Sequence, residues 1–137
     1  LLIDAVGRLG DLDAVEELVE LYDHPLLPVR IATLQALARL NDPRALRQIL
    51  LAMTDTAWEV RAQAAICAGK LGDVGAVPIL QHLLTDTQWW VRYHAAGALA
   101  AIGGPGLRCL QATADEGFPE AANMAWGILR ERGLATV

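Results

Sequence analysis

The chain has 137 residues and a net charge of −5, and its hydrophobic share of 54% is mostly Ala, Leu and Val, with aromatics at only 5%. That composition favours helices packed through small side chains over an aromatic-rich β core. No apolar run reaches the roughly 20 residues of a membrane span, and an acidic chain without a basic stripe is a poor binder of phosphate backbones.

The chain opens at Leu1-Leu2-Ile3-Asp4, inside a helix pattern, without Met and without a basic leader segment. The expectation is a cytoplasmic piece of a longer array. The first 23 residues hold one Arg against seven carboxylates, so they carry −6 and the remainder +1. Ala5-Val6-Gly7-Arg8-Leu9-Gly10-Asp11 lies 31 positions before Ala36-Leu37-Ala38-Arg39-Leu40-Asn41-Asp42, which lies 31 before Cys67-Ala68-Gly69-Lys70-Leu71-Gly72-Asp73. A fixed period in this range marks a stacked-repeat array. Val29-Arg30, Val60-Arg61 and Val91-Arg92 keep the same spacing and open the first helix of each repeat. The stretch Trp89 to Gly103 displays that helix most fully. Gly10, Gly72 and Gly103 fall where a helix ends in left-handed backbone, which Asn41 also tolerates. Asp11, Asp42 and Asp73 then offer carboxylates to the N–H groups of the second helix, and Pro43 suits its first position.

The second helices repeat an apolar face at i, i+1, i+4, i+7, i+8: Ala14, Val15, Leu18, Leu21, Tyr22, then Ala45, Leu46, Ile49, Ala52, Met53, then Ala76, Val77, Leu80, Leu83, Leu84. Short loops follow, in which Asp55 and Asp86 are expected to cap the next first helix, with His24 in their place in the earlier copy. Leu27, Trp58 and Trp89 share one position and read as a plug over the loop junction. The fourth copy slips by one residue at Gly103-Gly104-Pro105-Gly106 and lacks the capping Asp, so its second helix, about 107–115, is expected to be short or frayed. A last first-helix pattern runs from Pro119 to Arg132, with Trp126 and Leu129 expected to face inward. Its polar end, Arg130-Glu131-Arg132, suits an outer face near an array terminus. The repeats are thus about 1–23 (partial), 24–54, 55–85, 86–115 and 116–133 (partial), in one domain over 1–137.

Val60-Arg61-Ala62-Gln63-Ala64-Ala65-Ile66-Cys67-Ala68-Gly69-Lys70-Leu71-Gly72-Asp73 combines Val-Arg at the start, Ala pairs within and Leu-Gly-Asp at the close. It closely resembles the short HEAT-like repeat of the phycobilisome-lyase type, and the resemblance covers about 1–133. It implies an all-α solenoid, a right-handed superhelix of about four antiparallel helix pairs of 31 residues plus a terminal half repeat. It further implies that second helices line a concave side. By register the contact ridge is Glu16 and Glu20, Arg47 and Leu51, Pro78 and His82, Arg108 and Ala112, with Gln48, Gln81 and Gln111 beside them. The expected partner is another protein or peptide, held by a non-catalytic scaffold without a cofactor, with no membrane or nucleic acid involved. The family also contains pigment-attachment proteins, so a phycobilin-lyase-like or chromophore-binding subunit is the alternative, with Trp90 and Tyr93, near a second-helix edge, as groove candidates. A HEAT-like DNA glycosylase ranks lower: Trp58, Trp89 and Trp90 supply aromatics, but the charge has the wrong sign.

Other chemistry finds little support. Arg30, Arg61 and Arg92 recur at one repeat position, as a ladder of hydrogen bonds to loop carbonyls or Asp residues would require. His24, His82 and His94 share no repeat position, and none stands beside a Glu as in iron-binding HEAT-like hydroxylases. Cys67 and Cys109 read as small apolar fillers of a reducing compartment. No phosphate loop follows a strand pattern, and the chain contains no Ser.

Overall fold

A computed structural model of the protein describes residues 14–135. Among them stand eight α-helices and no strand: α1 (Ala14–Leu21), α2 (Leu27–Ala38), α3 (Pro43–Ala52), α4 (Trp58–Leu71), α5 (Val77–Leu83, entered through a 3₁₀ turn at Val74–Ala76), α6 (Trp89–Ile102), α7 (Pro105–Glu116) and α8 (Pro119–Glu131). Even-numbered helices are the first of each repeat and odd-numbered helices the second. The chain neighbours α1–α2, α2–α3, α3–α4, α5–α6, α6–α7 and α7–α8 pack together, and α2, α4, α6 and α8 also pack on one another in series. The protein is an all-α solenoid.

Side-chain size explains why the first-helix layer is the tighter one. Ala62, Ala64, Ala65 and Ala68 of α4 and Ala95, Ala96 and Ala98 of α6 are buried, and such short side chains let helix axes approach. The second helices present larger apolar groups to the same core: Val15 and Leu18, then Ile49 and Met53, then Leu80, Leu83 and Leu84, all buried. The result is one apolar cluster running from Val15 to Leu129. Every residue of the three predicted second-helix faces is at least half-buried, apart from Ala14, whose side chain lies outside the described residues. Val60 and Val91 are fully enclosed, and Val29 is half-buried.

The predicted helix ends fall where local chemistry demands. Asn41 and Gly72 take φ of 50° and 69°. Asp42 caps α3, accepting the Arg44 N–H at 2.8 Å, and Asp73 accepts the Gly75 N–H at 2.7 Å. Gly10 and Asp11 lie outside the described residues. Asp55 and Asp86 act one step earlier than a helix cap: each accepts the N–H two residues on, from Ala57 at 2.8 Å and Gln88 at 2.9 Å, and these acceptors hold the N-cap residues of α4 and α6. His24 does the same for α2, its Nδ1 accepting the Leu26 N–H at 3.0 Å.

Three expectations need correction. The fourth second helix is neither short nor frayed: α7 spans 12 residues. The lost residue is absorbed in the connection, where Gly103 (φ 68°, ψ −165°) and Gly104 (φ 44°, ψ −116°) adopt backbone that only glycine takes readily. Trp126 faces outward and is 38% exposed, although Leu129 is buried. The inward face of α8 is Ala121, Met124, Ala125, Ile128 and Leu129, and at about 100° per residue Trp126 falls beyond the edge of that stripe. Trp89 does not plug its junction as Leu27 and Trp58 do. Those two pack half-buried against the core, whereas Trp89 is 49% exposed and stacks on Tyr93 at 5.1 Å.

Candidate partner-binding surfaces

All eight ridge residues predicted from register, Glu16, Glu20, Arg47, Leu51, Pro78, His82, Arg108 and Ala112, are exposed on second helices. The apolar face of each helix is turned to the core, so the residues left over face water. The fold gathers some of them into grooves. Glu16, Glu20, Arg47 and Gln48 line a groove of about 360 Å³ between α1 and α3, with Arg44 and the apolar floor residues Val15 and Val19. Pro78, His82 and Gln81 line another of about 530 Å³, shared with Thr85, Thr113 and Phe118. Leu51 and Arg108 line neither groove. Leu51 stands as an exposed apolar side chain in the middle of the layer, at 58% exposure.

Arg44 and Phe118 are the ridge residues that register alone passes over. Arg44 is held by Asp42, which accepts from its Nε at 3.1 Å, and it reaches Glu16 across the groove at 3.4 Å. Those hydrogen bonds from Arg44 keep the Asp42 carboxyl below its ordinary range. The signal for Arg44 was its place one turn before Arg47 on α3. Phe118 is 76% exposed in the α7–α8 connection, and a large apolar residue beside Gly and Pro in a loop was its signal.

The recurrent arginines form the expected ladder. Arg30 Nη1 donates to the carbonyls of His24 and Pro25 at 3.0 and 3.1 Å, Arg61 Nη1 to those of Asp55 and Thr56 at 2.9 and 3.2 Å, and Arg92 Nη1 to that of Asp86 at 2.8 Å. Each thereby ties down the loop that precedes its own helix. Two rungs also reach forward to the next repeat. Arg61 grips Asp86 with two parallel bonds, Nε to Oδ2 at 2.7 Å and Nη2 to Oδ1 at 3.0 Å, and Arg30 Nε lies 3.7 Å from Asp55 Oδ2. The Tyr22 hydroxyl donates to that same Asp55 oxygen. Burial, then this hydrogen bond, raises the Tyr22 phenol well above its ordinary value.

The aromatic residues considered for a pigment groove sit elsewhere than expected. Tyr93 lies on α6, a first helix, and with Trp89 and Arg92 it lines a groove of about 400 Å³ against Glu120, Asn123, Met124 and Glu131 of α8. Trp90 is outside that groove, with its ring 6.1 Å from His94. Burial lowers the His94 imidazole below its ordinary 6.5. The folded state therefore disfavours the charged ring. Its contribution to stability is fully present above about pH 6.5 and is lost as pH falls through the lower folded value. A lower urea midpoint is expected at pH 5 than at pH 7, with a smaller drop in His94→Gln, as followed by circular dichroism.

Cys67 and Cys109 are both free thiols, and burial raises each above its ordinary value. Among the described residues no group of three or more His, Cys, Asp and Glu could hold a metal ion, and no helix is long and apolar enough to cross a membrane.

Comparison with known proteins places this geometry. No curated protein matches the sequence. Human deoxyhypusine hydroxylase, solved in complex with glycerol, is similar in structure with a TM-score of 0.71 at 26% identity, covering 97% of this chain and 50% of that one. The chain thus spans half the length of that enzyme. An engineered protein solved by crystallography shares the fold with a TM-score of 0.60 at 24% identity, over 93% of this chain and 66% of that one. The family model for HEAT repeats matches residues 46–125, more than half of the sequence. On that match, and on the paired helices, shared core and arginine ladder described above, the chain belongs to the HEAT repeat family.

Proposed function

We propose that the protein is a non-catalytic scaffold that holds a segment of a partner protein along its second-helix layer. The observation that carries this reading is the gathering of the exposed ridge into two open grooves, each with an apolar floor or wall and a polar rim. Val15 and Val19 sit beneath Glu16, Glu20, Arg44 and Arg47, and Pro78 and Phe118 stand beside Gln81, His82 and Thr85. An apolar centre with a charged rim is the usual composition of a contact surface. Leu51, exposed between the two grooves, extends the apolar path.

The rim offers both signs of charge, which suits a polypeptide with mixed charge better than a polyanion. A DNA-repair role has nothing to draw on here, since the −5 chain provides no basic track. A hydroxylase role by analogy with the structural neighbour lacks a donor set: His24, His82 and His94 are followed by Pro25, Leu83 and Ala95 rather than Glu. A bilin-binding role would have to use the first-helix groove at Trp89 and Tyr93. A shifted absorption band on adding a bilin is its test.

Photo-crosslinking from Glu20, Leu51 and Gln81 is expected to trap one shared partner, while probes at Gln35 on α2 and Trp126 on α8 trap none. Reversing charge at Glu16 and Glu20 together should weaken that purified partner by about tenfold, with the melting temperature unchanged. Unchanged affinity in the charge-reversed protein would remove the acidic groove from the site. Equal trapping from the control positions would remove the ridge altogether.

A further inference from the structure

One repeat position changes its surroundings along the stack. Leu27 and Trp58 pack half-buried against the core, but Trp89, their counterpart at the start of α6, is exposed, and so is Trp90 beside it. The rings join into one continuous aromatic surface. Trp89 stacks on Tyr93 with centroids 5.1 Å apart and planes 12° from parallel, and Trp90 stands at near right angles to both, at 4.8 and 5.9 Å. Indole left in water in a contiguous patch, rather than singly, marks a contact surface.

The groove of about 400 Å³ that Trp89 and Tyr93 line decides the sign of charge it can accept. Glu120, in the first turn of α8, and Glu131, its last residue, also line it. Both are exposed, and among the described residues neither makes an ion pair. Glu131 Oε1 accepts from the Tyr93 hydroxyl at 3.1 Å, which fixes that carboxylate beside the aromatic pair. This hydrogen bond, then the carboxylate's charge, raises the Tyr93 phenol above its ordinary value. The lining holds one cation, Arg92. Its Nη1 is held on the Asp86 carbonyl at 2.8 Å and its Nε is buried, so two of its three nitrogens are taken up within the protein. Arg132, next to Glu131 in sequence, lies over Gly97 of α6 instead, its Nη2 3.0 Å from where a Cβ of residue 97 would stand. Two carboxylates thus stand against one largely engaged guanidinium.

We propose that this groove takes an Arg side chain of a partner peptide, its guanidinium laid on the Trp89 indole and its edge paired with Glu131, with Glu120 at the other end of α8 adding to the same field. An aromatic face attracts a cation through its quadrupole, and a carboxylate beside it supplies the counter-charge. Arg suits this pairing better than Lys, because a planar guanidinium stacks on a ring and still presents two parallel N–H donors to one carboxylate. An acidic peptide would meet two like charges at the rim. A purely apolar one would desolvate both carboxylates without return. This surface belongs to the first-helix layer, so the inference goes beyond the ridge proposed above and does not rest on it.

The test is selection of a phage-displayed library of random linear peptides on the whole chain, followed by affinity measurement with the best peptide. The expected result is enrichment of peptides carrying Arg. Replacing that Arg by citrulline, which keeps the shape and removes the charge, should weaken binding roughly tenfold, and replacing it by Lys should weaken binding less. Glu131→Gln should lower affinity by a similar factor with the melting temperature unchanged, since the amide oxygen still accepts from Tyr93. Trp89→Ala should lower it likewise. With wild-type protein the δ-methylene protons of the peptide Arg should shift upfield on binding, because they lie over the indole ring, a readout that needs no variant to fold. Glu116→Gln, which removes an exposed carboxylate at the end of α7, should leave the affinity unchanged. Enrichment of acidic or purely apolar peptides, no enrichment at all, an unshifted methylene resonance, or self-association of the chain that Trp89→Ala abolishes would each overturn the proposal.

Discussion

Asp86→Ala is expected to destabilise the array by about 3 kcal/mol, read as a lower urea midpoint with an unchanged slope. The reason is the number of groups that one carboxylate satisfies. It accepts two parallel bonds from Arg61 of the preceding repeat, at 2.7 and 3.0 Å, and a third from the Gln88 N–H at 2.9 Å. Both side chains are largely enclosed, at 9% and 16% exposure, so removing the acid leaves a guanidinium without its counter-charge in a place that water reaches poorly. Exposed ion pairs behave differently: Arg44 and Glu16, at 47% and 80% exposure, should contribute under 1 kcal/mol. Arg61→Met paired with Asp86→Leu is the informative control. Replacing both partners by apolar groups should recover much of the loss, because the cost lies mainly in the orphaned charge. A loss no larger than that of Glu16→Ala would show that the inter-repeat pair does not hold the stack.

Leu80→Ala should cost about 3–4 kcal/mol by the same measurement. Leu80 is fully buried on α5, a helix of only seven residues. Such a helix has little stability of its own and depends on the apolar face it presents. Leu80, Leu83 and Leu84 are that face, and Leu80 stands at its centre. Removing its branched end leaves a cavity that α6 and α7, the helices packed on α5, cannot close. Since repeats are stabilised by neighbours, the damage should spread. Hydrogen exchange should speed up across α5, α6 and α7 before it does in α2. Loss confined to α5 itself would mean that the copies do not share one core.

Much of this architecture can be read in the one-dimensional pattern, because each repeat meets the same environment as its neighbours. Val60 and Val91 are both fully buried, and Gly72 at the end of α4 and Asn41 at the matching place just past α2 both take positive φ, since equal positions in a stack face equal surroundings. The failures come where the stack stops being uniform. Trp89 was read from Leu27 and Trp58, but α8 after it starts one residue out of step, and the ring turns to Tyr93 and the groove instead. Trp126 was placed by analogy in a helix whose inward stripe belongs to its neighbours at 125 and 128. The glycine connection was read as a defect, whereas two backbone conformations open to glycine let α7 form in full. For the ridge, register could say which residues are left outside. It could not say that Arg44 crosses to Glu16 or that Phe118 closes the second groove, because both depend on how far apart adjacent second helices settle.

The amino-acid order by itself determined the helix pair, its period, its caps and the sequence of apolar faces, all consequences of local propensity and of spacing along one helix. Only the tertiary structure decided which carboxylate meets which arginine, because those partners stand 25 residues apart and their meeting depends on the stacking of whole repeats. It alone shows that the third arginine, Arg92, has its Nε buried and no acid within ion-pair distance among the described residues. A periodic sequence announces the rungs of a ladder, but whether a rung is filled depends on the spacing between one repeat and the next.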